Sequence, residues 1–422
     1  MRHRLPPALQ SRDFALFTSS AFTSSLAQQM VMVAIGWQVY AIHRNPFDLA
    51  LIGLAEFIPI PLLALPAGQL ADRVPRTLVM AISIAGSGVV SAGLLVVSIE
   101  GAHQLWPFLA LAVLSGVAAV IGAPAGRAVV PLLVPTELLA SGLALRSVAS
   151  QIANVSGPAL GGLLFAVRPE IVYGAGTGLF AVSLVTVAMM NRSLIPVQRD
   201  GDPAPGFRSL LVGIRFIRHT KIILGAISLD LFAVLLGGSV SLLPLFARSI
   251  LHTGPVGLGV LRSATAVGAL IGGIQLTRKP LGGQAGRKLL VIVGVFGACM
   301  IVFGLSHSFT LSFVALAVSG YVDMFSMNIR STVVTLAAPN ALLGRVSAVE
   351  NVFISASNEL GAFESGLAAS LLGAVPAVVI GGSITIALAL VWGRLFPPLA
   401  KVDRLEDVRP VELAVPTGAA TT

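Results

Sequence analysis

Apolar residues fill long blocks along almost the whole chain, and short polar turns separate one block from the next. A helix needs roughly 20 mostly apolar residues to cross a bilayer, because about 30 Å of hydrocarbon is crossed at about 1.5 Å per residue. The pattern therefore predicts an all-α integral membrane protein with twelve spans. They are expected at residues 14–42, 49–71, 78–99, 107–130, 138–167, 171–191, 222–250, 257–277, 289–306, 310–337, 346–374 and 377–396.

The amino-acid composition also indicates that the protein is surrounded by the bilayer rather than by water. Of the 422 residues, 55% are apolar and 11% are charged, whereas about 25% charged residues is usual in soluble domains. A soluble globule is therefore excluded, and so is a disordered chain, which needs low hydropathy and high charge. The single cysteine, Cys299, excludes an intrachain disulfide and a cysteine-based metal site.

The charges indicate how the chain is oriented. Net charge is +9, and most of the 27 basic residues lie in the termini and the even-numbered turns. Short loops rich in Lys and Arg stay in the cytoplasm, so both termini are expected there, as in a multi-pass protein of the bacterial inner membrane. The other side carries only Arg44, Arg168 and Arg248, with Arg262 just inside a span. Topology thus explains the charge, and no nucleic-acid partner is expected.

The two halves of the chain repeat one another at one constant offset. Gly53 and Leu54 correspond to Gly257 and Leu258, and the same offset relates Asn154, Gly157 and Gly162 to Asn358, Gly361 and Gly366. Parallel six-span repeats are typical of one large transporter architecture. We therefore predict a six-helix bundle at 1–191, a cytoplasmic linker at 192–221, a second six-helix bundle at 222–398 and a disordered cytoplasmic tail at 399–422.

Within the linker, apolar residues at helical spacing share a segment with cations. The apolar residues at helical spacing are Phe207, Leu210, Leu211 and Ile214. The cations in the same segment are Arg208, Arg215, Arg218 and Lys221. This pattern is typical of an amphipathic helix on the membrane surface with its cations near anionic lipid. A solvated linker is the alternative.

The turn after the second span reads Gly-Gln-Leu-Ala-Asp-Arg-Val-Pro-Arg at residues 68–76. It resembles the G-x-L-A-D-R-x-x-R signature of the major facilitator superfamily. The resemblance implies a cytoplasmic gate motif formed by Gly68, Asp72, Arg73 and Arg76, in which Asp72 contacts the facing half near residues 344–346. Pro75 stands where the family has glycine. An ordinary positively charged turn would explain the two arginines but not the whole string.

In the fifth span, Gly157-Pro158-Ala159-Leu160-Gly161-Gly162 is similar to the G-P-x-x-G-G element of the superfamily's drug antiporters. Proline removes a helical hydrogen bond and glycine permits close approach. A hinge formed by Gly157, Pro158, Gly161 and Gly162 and simple close packing of helices are both compatible with these residues. The resemblance favours export.

The C-terminal half narrows the resemblance. Residues 339–348, and 357–366 after them, resemble the branch of transmembrane secretion effectors and macrolide-efflux-like proteins that includes the enterobactin exporter. The fourth span lacks the mid-helix arginine of many proton-coupled drug exporters, which puts the usual coupling scheme in question.

Ionisable groups inside a membrane are costly and therefore point to function. A carrier coupled to protons needs a carboxyl group that is exposed to each side in turn, and burial in a low dielectric favours the protonated form. The candidates are Asp230, Asp323, Glu359, Glu56 and Glu364. Each of them is also compatible with a fixed structural role, as the spacing of Asp323 and Arg330 on one helical face illustrates.

Two further sets of residues are candidates for the transport path. Arg146 and Glu350 occupy matching positions near the inner surface, where they form either a gate pair or separate local salt bridges. Polar residues at helical spacing are expected to line a watery cavity, because facing lipid would be unfavourable. These cavity-lining candidates are Thr18, Ser25, Gln29, Asn351, Ser355 and Asn358.

Taken together, these patterns indicate a secondary transporter that works by alternating access. We expect a monomer without cofactor or metal that exports a siderophore-like metabolite or amphiphilic drug, driven by the proton gradient. The alternatives are a facilitator or importer of lysophospholipid or another metabolite, and a non-transporting receptor or membrane enzyme. No Walker-type loop, HExxH or GxSxG supports the enzyme alternative.

Overall fold

A computed structural model of the chain describes residues 7–101, 104–190, 207–279 and 281–411. It is all-helical over these ranges, and twelve spans run back and forth as predicted. Spans 1 to 6 are Arg12–His43, Pro46–Phe57 continued by Pro59–Arg73, Arg76–Ile99, Trp106–Ala128, Leu139–Val167 and Pro169–Ala188. Spans 7 to 12 are Lys221–Gly237 with its continuation to residue 250, Pro255–Arg278, Ala285–Leu305, Phe309–Ala337, Asn340–Leu372 and Ala374–Leu395.

Apolar length alone accounts for most of these helices. In the described ranges, 9 helices are long and apolar enough to cross a membrane. Spans 1, 5 and 11 fall short because polar residues interrupt them. Such spans are stable in a bilayer when their polar faces lie inside the bundle. The three most polar spans therefore mark its interior.

Local signals set where several spans begin. The Asn45 side chain accepts a hydrogen bond from the Phe47 backbone N–H at 3.0 Å, and Pro46 occupies the first helical position of span 2. Proline at that position has no N–H to leave unpaired, and its φ is already helical. Span 8 begins in the same way at Pro255. Between spans 11 and 12, Gly373 has a φ of 91°, a conformation that favours glycine.

The helix contacts repeat from one half to the other. In the first half, span 1 packs against spans 5 and 6, span 4 against spans 2 and 3, and span 3 against span 6. In the second half, span 7 packs against 11 and 12, span 10 against 8 and 9, and span 9 against 12. Each contact thus recurs six spans later, which is the arrangement that the sequence repeat predicts.

Two helix pairs join the halves, and glycines allow their close approach. A Cβ at Gly162 of span 5 would lie 2.3 Å from the Pro255 carbonyl oxygen of span 8. A Cβ at Gly259 of span 8 would lie 2.3 Å from the Pro158 carbonyl oxygen of span 5. Between spans 2 and 11, a Cβ at Gly366 would lie 2.8 Å from the Ala50 backbone nitrogen. Any side chain there would force the halves apart.

These contacts lie toward one face of the bundle. We call the face at which span 1 begins and span 12 ends the terminal face, and the face with the turn between spans 1 and 2 the opposite face. Near the opposite face, the Tyr40 hydroxyl lies 2.9 Å from Ser249 Oγ, and the Arg248 guanidinium lies 5.4 Å from the centre of the Trp37 ring. Both contacts join span 1 to the end of span 7, so the halves are closed at the opposite face.

Toward the terminal face the halves are separated. A Cβ at Gly68 of span 2 or at Gly344 of span 11 would meet nothing within 4 Å. The side chains of Ser355 and Asn358, midway along span 11, are exposed. Polar groups at that depth are favourable only beside water, and we conclude that a cleft between the halves opens to the terminal face.

Spans 2 and 7 are not continuous, contrary to expectation. Span 2 is divided at Ile58, before Pro59. Span 7 stops at Gly237 and resumes as short helical segments that end in a π-helical turn, Phe246–Ile250. At the break, Ser365 Oγ donates a hydrogen bond to the Gly238 carbonyl oxygen at 2.5 Å. Adjacent glycines weaken a helix, and the serine pairs with a carbonyl that the break would otherwise leave free.

The linker and the tail are partly described. A linker helix, Phe207–His219, is present, while residues 192–206 lie outside the described ranges. Over residues 399–411 the tail is ordered against the bundle rather than disordered as expected. The Ala285 backbone N–H donates a hydrogen bond to the Asp403 carbonyl oxygen at 2.8 Å, and the Val411 backbone N–H donates one to the Ala337 carbonyl oxygen at 3.0 Å. Residues 412–422 lie outside the described ranges.

Gly162→Val is expected to lower the free energy of unfolding by about 1–3 kcal/mol, because the new side chain pushes spans 5 and 8 apart. The matched control is Gly174→Val on span 6, where a Cβ would meet nothing within 4 Å. Thermal unfolding in detergent measures both variants. Equal unfolding midpoints would show that the contact between spans 5 and 8 does not depend on glycine.

Candidate translocation site

Four of the five predicted intramembrane carboxylates form two groups. Glu56 of span 2 and Glu359 of span 11 meet between the halves. Asp230 of span 7 and Asp323 of span 10 lie around Arg330, inside the second half. Sequence reasoning found all four acids, but it did not separate them.

The first group, which we call the central pair, consists of Glu56 and Glu359. Their carboxyl groups are hydrogen bonded to each other, and Glu56 also hydrogen bonds to the Ser115 hydroxyl of span 4. Gly53 makes this approach possible: a Cβ there would lie 3.0 Å from the Glu359 carbonyl oxygen and 2.8 Å from the Ala362 side chain. The backbones of spans 2 and 11 therefore nearly touch one turn from the carboxyl groups.

A cation accompanies the central pair. Arg262 of span 8 attracts both carboxyl groups electrostatically, and its guanidinium contacts the Met32 sulfur of span 1. Sequence reasoning counted Arg262 only as a basic residue just inside a span and missed this role. The signal was available, because an arginine about two turns into an apolar helix needs an acidic partner in the membrane.

A hydrogen bond between two carboxyl groups requires a proton on one of them, since an ionised carboxylate is only an acceptor. Two ionised carboxylates in contact with each other repel. The central pair is therefore a site where a proton can be held between the two halves of the protein.

The second group is an ion cluster within one half. Arg330 forms an ion pair with Asp230 and lies 3.7 Å from Asp323, and it also attracts Glu350. The side chains of Arg330 and Asp230 are 10% and 14% exposed, whereas Asp323 is 53% exposed. A small cavity of about 20 Å³ lies beside them, with Phe296 in its wall. Asp230 is thus an ion-pair partner of Arg330, which is compatible with the fixed structural role that the sequence left open for the intramembrane acids.

The fifth predicted acid and the two members of the predicted gate pair have local neighbours. Arg146 lies 5.8 Å from the centre of the Phe17 ring in its own half, while Glu350 faces Arg330 in the other half. Glu364 lies next to Ser365, beside the break in span 7.

The cavity-lining candidates divide into exposed and paired residues. Ser355 and Asn358 are exposed in the cleft, and Ser25 is half-buried. The Gln29 amide donates to Asn154 Oδ1 at 2.9 Å and so ties span 1 to span 5. Thr18 and Asn351 donate to backbone carbonyl groups of their own helices, at 2.9 Å and 2.7 Å.

The two sequence motifs lie at different faces. Residues 68–76 form the turn between spans 2 and 3 at the terminal face, where Arg73 is exposed; the side chain of Asp72 lies outside the described part of the chain. In the second motif, a Cβ at Gly161 would lie 2.7 Å from the Met30 carbonyl oxygen. A Cβ at Gly157 would lie 2.6 Å from Gln29 Cβ. These glycines pack span 5 onto span 1, and Gly162 packs it onto span 8.

Comparison with known proteins identifies the family. The model of a family described as transmembrane secretion effector matches residues 6–414, nearly the whole chain. The chain belongs to the transmembrane secretion effectors of the major facilitator superfamily. This confirms the resemblance noted in the sequence and the twelve-span fold, and this secretion effector is a membrane transporter rather than an enzyme.

Individual relatives agree with this assignment. The secretion effector is 25% identical over 416 residues to the enterobactin exporter EntS of Citrobacter koseri, covering 97% of this chain and 96% of that one. Among solved structures, a bacterial homolog of the human lysosomal transporter Spinster in an inward-facing, unoccupied conformation matches with a TM-score of 0.70 and 13% identity, covering 94% of this chain and 97% of that chain. A POT family transporter in complex with a thioalcohol-conjugated peptide matches with a TM-score of 0.72 and 12% identity, covering 92% and 97%.

Replacing Arg330 with Met in this secretion effector is expected to cost about 3–5 kcal/mol of stability, because Asp230 is left buried without its cation. Adding Asp230→Asn is expected to restore most of that loss, since neither partner then carries an unpaired charge. A double-mutant cycle of thermal unfolding in detergent measures the coupling. Additive losses in the double variant would contradict the assignment of Asp230 as an ion-pair partner.

Proposed function

We propose that this transmembrane secretion effector is a proton-coupled exporter that works by alternating access. The observation that carries the proposal is the hydrogen-bonded pair of Glu56 and Glu359, one carboxyl group from each half. A proton held there joins the halves, and loss of that proton leaves two like charges that repel. Proton occupancy and the closure of the opposite face are therefore linked.

This link gives a complete exchange cycle. Substrate enters the cleft from the terminal face, and a proton leaves the central pair to the same side. Repulsion between Glu56 and Glu359, partly offset by Arg262, then favours opening at the opposite face and release of the substrate. Protons from that side neutralise the pair, so the halves close again. One direction of the cycle moves substrate out, and the other moves protons in.

The basic residues support an orientation with the terminal face in the cytoplasm of a cell with an inner membrane, as the distribution of Lys and Arg predicts. In that orientation the cycle uses the inward proton gradient as its energy source, and no cofactor is needed. We propose that the transporter works as a monomer, since each six-helix half supplies one member of the central pair.

For the substrate, we propose a bulky amphiphile of the siderophore class. The name of the enterobactin exporter relatives supports this class. The cleft offers compatible chemistry: the exposed amide and hydroxyl groups of Asn358 and Ser355 serve as hydrogen-bond partners. A site of this kind binds a partly apolar molecule with several polar groups.

Glu359→Gln and Glu56→Gln are each expected to abolish proton-driven export of enterobactin, because an amide donates to the remaining carboxylate at every pH and holds the halves together. Purified protein in liposomes with an imposed pH gradient is the assay, with substrate and internal pH followed together. We expect at least about a hundredfold loss of export, as for a group essential to proton transfer.

Glu137→Gln is the matched control, since Glu137 is an exposed residue in the turn before span 5. Substrate-dependent proton entry is expected for the unmodified protein and for this control. Normal export by both central-pair variants would contradict the proposal.

A further inference from the structure

The linker helix, Phe207–His219, joins span 7 through a single residue, Thr220. Because span 7 begins at Lys221 on the terminal face, the linker helix is held at the level of the membrane surface. Its sequence carries Arg208, Arg215 and Arg218. Neither the transport cycle nor the ion clusters use these residues.

The buried and exposed residues of the linker helix fall on different sides. Gly213 and Ile217 are buried, and they are one turn apart. A Cβ at Gly213 would lie 3.0 Å from the Arg345 carbonyl oxygen and 3.2 Å from Val349 Cγ2. This side therefore rests directly on the first turns of span 11, the span that carries Glu359.

The other side combines apolar and cationic groups. Leu211, Val212 and Ile214 are 46%, 43% and 37% exposed, and Arg215 and Arg218 are exposed beside them. A soluble surface rarely presents three aliphatic side chains within one turn of a helix. The combination is typical of a helix whose apolar residues enter the interfacial region while its cations reach headgroups.

The linker helix and the two segments that it directly joins or rests on carry charge of one sign. No acidic residue lies within residues 207–229. None lies within residues 340–349 at the beginning of span 11 either, where Arg345 adds another cation. The first acid beyond them on span 11, Glu350, faces Arg330. With Lys221 at the start of span 7, the cations lack acidic neighbours in these segments, and the surface attracts anions.

We propose that this exposed face of the linker helix is a binding surface for anionic phospholipid headgroups of the surrounding bilayer. The covalent connection to span 7 keeps the face at the bilayer surface, and its aliphatic residues fit the acyl boundary better than an acidic protein or a nucleic acid. Each cation near an anionic leaflet contributes to binding. Because Gly213 rests on span 11, bound lipid also anchors the terminal end of the helix that carries Glu359.

A fluorophore on the linker helix tests this directly. Leu211→Cys is labelled in a Cys299→Ala background, which removes the single native cysteine, and the full-length protein is placed in mixed vesicles of phosphatidylcholine and phosphatidylglycerol. In one preparation the phosphatidylglycerol carries bromine, and in the other preparation the phosphatidylcholine carries it. We expect brominated phosphatidylglycerol to quench the label about threefold more than brominated phosphatidylcholine at equal content, with the preference falling at high salt.

Arg215→Gln, Arg218→Gln and Lys221→Gln together are expected to abolish the preference. The matched control replaces Arg278, Lys279 and Arg287, exposed cations in the turn between spans 8 and 9, and is expected to retain it. Equal quenching by both lipids, no quenching by either, or equal loss in the control would overturn the proposal. No transport is measured, so a negative result leaves the proton-exchange proposal intact.

Discussion

Two carboxyl groups from opposite halves of a membrane protein remain in contact only while a proton lies between them. Glu56 and Glu359 are in that position, and much of the surrounding structure serves to bring them together. Gly53 allows the backbones of spans 2 and 11 to approach, and Gly366 allows it again nearer the opposite face. Arg262 attracts both carboxyl groups from span 8. In our proposal, this one contact links the protonation of the pair to the conformation of the transporter.

The second charge group shows how buried acids can be stabilised by a cation instead of by a shared proton. Arg330 is nearly buried between Asp230 and Asp323, with Glu350 close by, and all four belong to the same six-helix half. In our proposal, rocking of one half against the other does not change distances within a half, so this cluster stays intact through the cycle. The two groups are built from the same residue types. What distinguishes them is that one cluster lies within a half, while the central pair lies between the halves.

The fold followed from the sequence because its signals are local and strong. Apolar length predicted the twelve spans, and the matching of Gly53 with Gly257 and of Gly162 with Gly366 predicted the repeat that the helix contacts show. The breaks at Ile58 and Gly238 were missed, because the apolar run continues through both and only the partner on span 11, Ser365, supports the second break. The site was harder to predict for a related reason: sequence shows that Glu56 and Asp230 are both in the membrane, but their partners lie on distant spans. Arg262 was counted only as a topology signal, although an arginine about two turns into an apolar span already indicates an acidic partner in the membrane.

The most direct test follows the distance between the halves at the opposite face as the central pair titrates. Spin labels at Val167→Cys and Val256→Cys, exposed positions at the ends of spans 5 and 8, report that distance in a Cys299→Ala background. The account predicts a short distance at low pH and a growing population of longer distances as pH rises, and a short distance at every pH when Glu56 and Glu359 are both replaced by Gln. A pH-dependent opening that persists unchanged in the double variant would contradict it.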